Sequence, residues 1–199
     1  ELSRRAGERG SLIELNIDAV LQNYVQQRLM GERSAAAVVL DVRTGGVLAM
    51  GSVPSYDPEP FSRGLSSAEW RALLEDPLNP LSNKAIAGAY APGSTFKMIV
   101  ALAAMEAGIE PGERVFCPGH YELGGHRFHC WRRGGHGHMN MHNAIVQSCD
   151  VYFYQLAVDL GIDRMAGALM SFGFGPPTGI DINGELGGVV PSPEWKRSQ

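Results

Sequence analysis

Tyr90-Ala-Pro-Gly-Ser94-Thr-Phe-Lys97-Met98 puts a hydroxyl and an amine three residues apart. That spacing predicts one face at the start of a helix, with Ser94 Oγ and Lys97 Nζ within hydrogen-bonding reach one turn apart. The apolar run Met98 to Met105, closed by Ala107-Gly108, would drive this helix into a core and leave the pair at its buried N-terminal end. A serine activated by a neighbouring base is a covalent nucleophile. Only a neutral Lys97 can take the Ser94 proton, and burial would favour that form. By themselves the four residues are a weak signal and read more simply as a capping serine with a solvated lysine. Pro92-Gly93 adds a tight entry from which a backbone N–H can point at an oxyanion.

A second polar set follows at Ser148-Cys149-Asp150. It separates two apolar, helix-like stretches, His142 to Gln147 and Val151 to Ala157, and reads as a short turn between core helices. Taken alone, Asp150 is most simply the N-cap of the second helix.

With both sets in view, the chain resembles the penicillin-recognising serine transpeptidases, whose Ser-x-x-Lys and Ser-x-Asn motifs form two of three active-site walls. Val38 to Met50 is similar to the family's opening hairpin, and Pro54-Ser-Tyr-Asp-Pro58 and Asn83-Lys-Ala85 to the segments before the nucleophile. Asp150 in place of asparagine, Gly135-His-Gly-His138 and Pro191-Ser-Pro-Glu-Trp-Lys196 resemble the monofunctional class B branch of rod elongation. The resemblance implies an α+β transpeptidase fold of the penicillin-binding protein and serine β-lactamase type. It also implies acyl transfer to and from Ser94, with Lys97 as base, Ser148 as proton relay and Asp150 orienting them. The implied substrate is the D-alanyl-D-alanine stem peptide of peptidoglycan, and β-lactam antibiotics would acylate the same serine. A glycan polymerase of the SEDS type and rod-shape scaffold proteins are the implied partners, at the periplasmic face of an inner membrane. The third wall, a strand bearing Lys-Thr/Ser-Gly, does not occur in this sequence. The chain is therefore expected to be a fragment lacking the C-terminal strands, inactive by itself. A serine β-lactamase and a non-enzymatic β-lactam sensor share the Ser-x-x-Lys motif and are the competing readings.

Every cysteine and every histidine lies between Cys117 and Cys149. Three thiolates and one imidazole make the closed tetrahedral shell of a structural zinc ion. A disulfide with one free thiol is the alternative, although an odd cysteine count beside six histidines fits it poorly. The resemblance selects Cys117, Cys130, His136 and Cys149 as ligands; the residues alone leave His120, His126, His129, His138 and His142 as substitutes for His136. A closed shell leaves no site for water, so the expected role is structural.

The 199 residues, 44% hydrophobic with net charge -4, suffice for a sizeable core, and the mild acidity argues against a nucleic-acid surface. No run approaches the roughly 18 consecutive apolar residues of a membrane span. Residues 1–10 read as the tail of a preceding region or a linker, and 11–199 as the N-terminal part of one transpeptidase domain with a zinc-binding segment at 117–149. Ser11 to Ile17 reads as a strand. A helix capped by Asp18 follows, with Leu21, Tyr24, Val25 and Leu29 on one face. Ala35 to Asp41 and Val47 to Gly51 read as a hairpin. Ser67 to Glu75 and Asp163 to Ser171 read as further helices.

Overall fold

The computed structural model describes Gly7 and residues 10–198. These divide into two compact units that meet in the chain at Gly88 and Ala89, within the span 11–199 read above as one domain. The tail reading for residues 1–10 falls mostly outside the described residues.

In the first unit, the Asp18 carboxylate accepts the N–H groups of Val20 and Leu21 at 2.9 Å and opens α1 (Ala19–Leu29). Strands β1 (Ala35–Leu40) and β2 (Val47–Val53) pair antiparallel, with Ala35 opposite Val53 and Val38 opposite Met50. Helix α1 lies against β2, and the Gln22 amide binds both the N–H and the C=O of Met50 at 2.8 Å. A side chain thus stands in for a neighbouring strand at that position. Close approach depends on Gly51, where a Cβ would come within 2.6 Å of Leu29 Cδ1 and 3.3 Å of Val25 Cγ1. Two expectations fail here. Ser11 to Ile17 form no strand, because no described segment pairs with them. Tyr24 is exposed, because β2 meets α1 with Ala49, Gly51 and Val53, too small a patch to cover the whole predicted stripe.

Helix α2 (Glu59–Arg63) and helix α3 (Ser67–Glu75) follow. The latter opens on a reciprocal cap in which Ser66 Oγ accepts the Glu69 N–H and the Glu69 carboxylate accepts the Ser66 N–H. Asn83 caps α4 (Lys84–Ala87), and the buried Lys84 amine donates to the Asn79 carbonyl at 3.1 Å.

The second unit begins its regular structure with a tight 3-10 turn, Gly93–Phe96, that leads directly into α5 (Lys97–Glu106). Strand β3 (Val115–Cys117) pairs with β6 (Gly137–Met139); between them β4 (His120–Leu123) and β5 (His126–His129) form a hairpin turned by Gly124 and Gly125, both at positive φ. Helices α6 (Met141–Val146), α7 (Asp150–Leu160), α8 (Ile162–Ser171) and α9 (Pro193–Arg197) complete the unit. Helix α5 packs on α7 and α8. Its buried face is made of Val100, Ala101, Ala103 and Ala104, small enough to admit Val151, Tyr152, Phe153, Leu156 and Leu160 of α7. Cys117, Cys130 and Cys149 belong to the same buried cluster. Among the described residues no helix is long and apolar enough to cross a membrane.

Gly51→Val should lower the unfolding free energy of the first unit by about 1 to 3 kcal/mol through overpacking against α1. A denaturation midpoint unchanged from that of the parent would remove Gly51 from the packing argument.

Candidate active site

Ser94 and Lys97 emerge from the junction between the 3-10 turn and α5, so Ser94 precedes the α-helix rather than opening it. Lys97 is buried, and its ring neighbour is Phe153, whose centroid lies 5.4 Å from Nζ. Its amine reaches across to the turn between α6 and α7. It donates to Asp150 Oδ1 at 2.7 Å, the Ser148 carbonyl at 3.1 Å and Ser148 Oγ at 3.2 Å. Ser148 Oγ in turn lies 2.9 Å from Ser94 Oγ. The structure therefore brings Ser94, Lys97, Ser148 and Asp150 together, with one correction. No direct Ser94–Lys97 hydrogen bond occurs among the described residues; Ser148 stands between them.

Lys97 meets the Asp150 carboxylate as an ion pair. Burial pushes Asp150 upward, but the Lys97 ammonium and the Trp131 N–H, which Oδ2 accepts at 2.9 Å, outweigh it and hold the carboxyl below its ordinary value. Asp150 is also not the N-cap: Cys149 holds that position, and Asp150 opens the first turn of α7.

The turn explains how Ser148 is aimed. The Cys149 N–H donates to the Ala144 carbonyl at 2.9 Å and the Ser148 N–H to the Ile145 carbonyl at 3.1 Å, the paired closure that ends many helices. The residue at the centre of that closure has a left-handed backbone, and glycine normally fills it. Here it is Ser148, at φ +49. A serine in this place costs roughly 1 to 2 kcal/mol relative to glycine. Sidedness is what the strain supplies, since it points the hydroxyl at Lys97 and Ser94.

Directly behind the turn, Cys117 Sγ, Cys130 Sγ, Cys149 Sγ and one His136 ring nitrogen lie within 4.8 Å of one another. Nδ1 of His136 is 3.6 Å from Cys117 Sγ and 3.5 Å from Cys130 Sγ. All three cysteines are buried and unpaired by disulfide. Of the six histidines only His136 joins this group; His120 and His129 face each other across the β4–β5 hairpin, and His138 stacks on Phe116. Two glycines make the convergence possible. A Cβ on Gly119 would overlap the Arg133 carbonyl oxygen, and one on Gly135 the Cys117 carbonyl oxygen; both glycines have positive φ. Burial pushes the Cys149 thiol up to about 12 and lowers His136.

The model for the penicillin-binding protein transpeptidase domain matches residues 35–199. The chain belongs to this family. It is 46% identical over 193 residues to the peptidoglycan D,D-transpeptidase MrdA of Escherichia coli K12, which covers 96% of the chain and 30% of that protein. Among solved structures, penicillin-binding protein 2 of Pseudomonas aeruginosa in complex with WCK 5153 is similar with a TM-score of 0.84 and 44% identity, covering 92% of this chain and 41% of the other. The complex between penicillin-binding protein 2 and MreC of Helicobacter pylori is similar with a TM-score of 0.84 and 36% identity, covering 92% and 34%. The chain thus spans about a third of the length of the family members it matches.

Sequence reasoning gave no role of their own to Trp131, Gly119, Gly135 and Phe153. The adjacency of Trp131 to Cys130 was the one available signal for the first; nothing in the sequence marked which glycines face a carbonyl.

Two outcomes test this geometry. Ser148→Gly should raise stability by roughly 1 kcal/mol, because it relieves the left-handed strain; a loss of stability would show that the side chain's bonds outweigh it. The Asp150 carboxyl, followed by its 13C shift, should titrate below its ordinary value in the parent and rise in Lys97→Met, where the Trp131 N–H opposes burial without help from the ammonium. Because the folded-state value is depressed, the stability that the pair contributes is present above the ordinary carboxylate range and lost as pH falls through the lower folded value. A midpoint insensitive to Lys97 would contradict the pairing.

Proposed function

We propose that this chain carries the nucleophile, base and relay of a peptidoglycan D,D-transpeptidase, and that the intact protein cross-links stem peptides during cell elongation. The observation that supports it most is the continuous contact from Ser94 through Ser148 to Lys97 and Asp150 within a chain of this family. The relatives' names favour it over the β-lactamase and sensor readings.

Ser94 Oγ attacks the carbonyl between the two terminal D-alanines. Its proton passes through Ser148 to Lys97, the ammonium having first given a proton to solvent. The C–N bond breaks as the proton returns, by way of Ser148, to the departing D-alanine nitrogen. An amine from a neighbouring stem peptide then forms the new C–N bond as the Ser94 ester bond breaks, and its proton returns through Ser148 to Ser94 Oγ. In the resting arrangement Lys97 donates toward Ser148 and Ser148 toward Ser94, the direction needed for leaving-group protonation. Asp150 fixes Lys97 at 2.7 Å and so sets the orientation of the relay. A β-lactam would acylate Ser94 in the same way, its ring C–N bond taking the place of the peptide bond. The Helicobacter pylori complex with MreC supports a rod-shape scaffold protein as partner. The resemblance to elongation enzymes adds a SEDS-type glycan polymerase and a membrane-anchored, periplasmic setting.

We also propose one structural zinc ion on Cys117, Cys130, His136 and Cys149. Zinc bonds of about 2.3 Å to sulfur and 2.0 to 2.1 Å to nitrogen give tetrahedral sulfur–nitrogen edges of about 3.5 to 3.6 Å, and the two observed separations are 3.6 and 3.5 Å. Without a cation, burial keeps the Cys149 thiol protonated, pushed up to about 12; a divalent cation in their midst would instead hold the three as thiolates. The ion would supply rigidity alone, gripping Cys149 between the two polar residues of the turn.

In the intact protein, Ser94→Ala should abolish covalent labelling by fluorescent penicillin, and Lys97→Ala should slow it by at least about a hundredfold. Labelling that persists in Ser94→Ala would refute the nucleophile. Purified protein should carry about one zinc per chain, with its thiols protected until a chelator is added. A metal-free sample containing a disulfide would overturn the zinc reading.

A further inference from the structure

Trp131 is exposed over most of its surface, yet three contacts tie it to both halves of the site. Its backbone N–H donates to Asp150 Oδ2 at 2.9 Å. Its indole Nε1–H donates to the Gln147 carbonyl at 3.0 Å. Its ring packs edge-wise on His136 at 5.3 Å between centroids. The sequence neighbour on one side is Cys130, itself part of the Cys/His group.

The Gln147 carbonyl belongs to the same peptide plane as the Ser148 N–H, and that N–H is already held by the Ile145 carbonyl. With Trp131 on the oxygen and Ile145 on the hydrogen, the plane before Ser148 is fixed at both ends. The residue after the turn is fixed as well, through Asp150. Ser148 is therefore bracketed in its unfavourable left-handed conformation by one residue acting on both sides. Without the bracket, rotation of the 147–148 plane would relieve the strain and carry Ser148 Oγ away from Ser94, 2.9 Å distant. His136 Nε2 is buried and has no hydrogen-bond partner among the described residues, so the Trp131 ring is also the group packed on a histidine whose other nitrogen faces the thiols.

We propose that Trp131 is a positioning residue for acylation: by clamping the Gln147–Ser148 peptide through its indole N–H, it keeps Ser148 aligned between Lys97 and Ser94. This rests on the transpeptidase reading above. It differs from the cysteine grip on Cys149, because the clamp acts through an uncharged hydrogen bond that can be removed while every thiol stays in place.

The test uses the intact protein with Trp131→Phe and with 3-benzothienylalanine at 131, which keeps the bicyclic shape but replaces the indole N–H with sulfur. Both should lower the first-order acylation constant by about three- to tenfold, the worth of one neutral hydrogen bond, with the dissociation constant of the non-covalent penicillin complex within about twofold of the parent. Amide exchange at Ser148 and Cys149 should accelerate in both, with exchange along α5 and the bound metal unchanged. An unaltered acylation constant with unaltered exchange would overturn the proposal. So would a slowing accompanied by faster exchange throughout the unit, because that marks general loosening. Failure of the unaltered protein to label at Ser94 would overturn the transpeptidase reading itself, and with it any reaction for Trp131 to serve, whereas normal labelling beside silent variants would overturn Trp131 alone.

Discussion

The Lys97 ammonium holds the site together. It leaves the first residue of α5 and makes three hydrogen bonds on the far side of a core interface, two to Ser148 and one to Asp150. Its burial next to Phe153 makes those bonds obligatory, since a cation out of water without partners would cost several kcal/mol. The nucleophile turn and the α6–α7 turn are therefore set relative to each other by Lys97, together with the Ser148–Ser94 hydrogen bond. The alanine-rich face of α5 brings α7 close enough for it to reach.

The α6–α7 turn is held against its own preference. A serine occupies the left-handed closure of α6, a place that suits glycine. Core packing of Ala144 and Val151 anchors the turn at its two ends, and Cys149 is buried in the middle among the thiols. Strain at Ser148 and dense support around it are two sides of one arrangement: the hydroxyl is kept in a direction that a relaxed turn would not give it. The Gly119 and Gly135 contacts belong to the same support, because they let the strands and loops that carry Cys117 and His136 cross at backbone distance.

Much of this was legible in the sequence for local reasons. Spacing marked Ser94 and Lys97; the apolar stretches on either side of Ser148-Cys149-Asp150 marked a turn between core helices; Asp18 and the Ser67 to Glu75 helix followed from capping and periodicity. The grouping of Cys117, Cys130, His136 and Cys149 came from the family resemblance, because spacing alone could not choose among six histidines. The roles of Ser148 as relay and Asp150 as orienting group came from the resemblance too; what the residues alone did not show was non-local. The relay through Ser148 depends on a left-handed backbone that no sequence rule assigns to serine. The ion pair of Lys97 arises from a residue 53 positions away. Trp131 joins the site through one backbone and one side-chain donor, neither of which leaves a pattern. The strand expected at Ser11 to Ile17 had an alternating pattern but no partner among the described residues, and pairing is what makes a strand.

The claim that Ser94, Ser148 and Lys97 act as one unit is tested most directly by a double-mutant cycle on the acylation rate of the intact protein, using Lys97→Met, Ser148→Ala and the pair together. If the proton path runs through all three, the double variant is about as slow as the slower single variant, because breaking one link already breaks the path. Rate losses that multiply would mean that Lys97 and Ser148 act independently, and would contradict the relay.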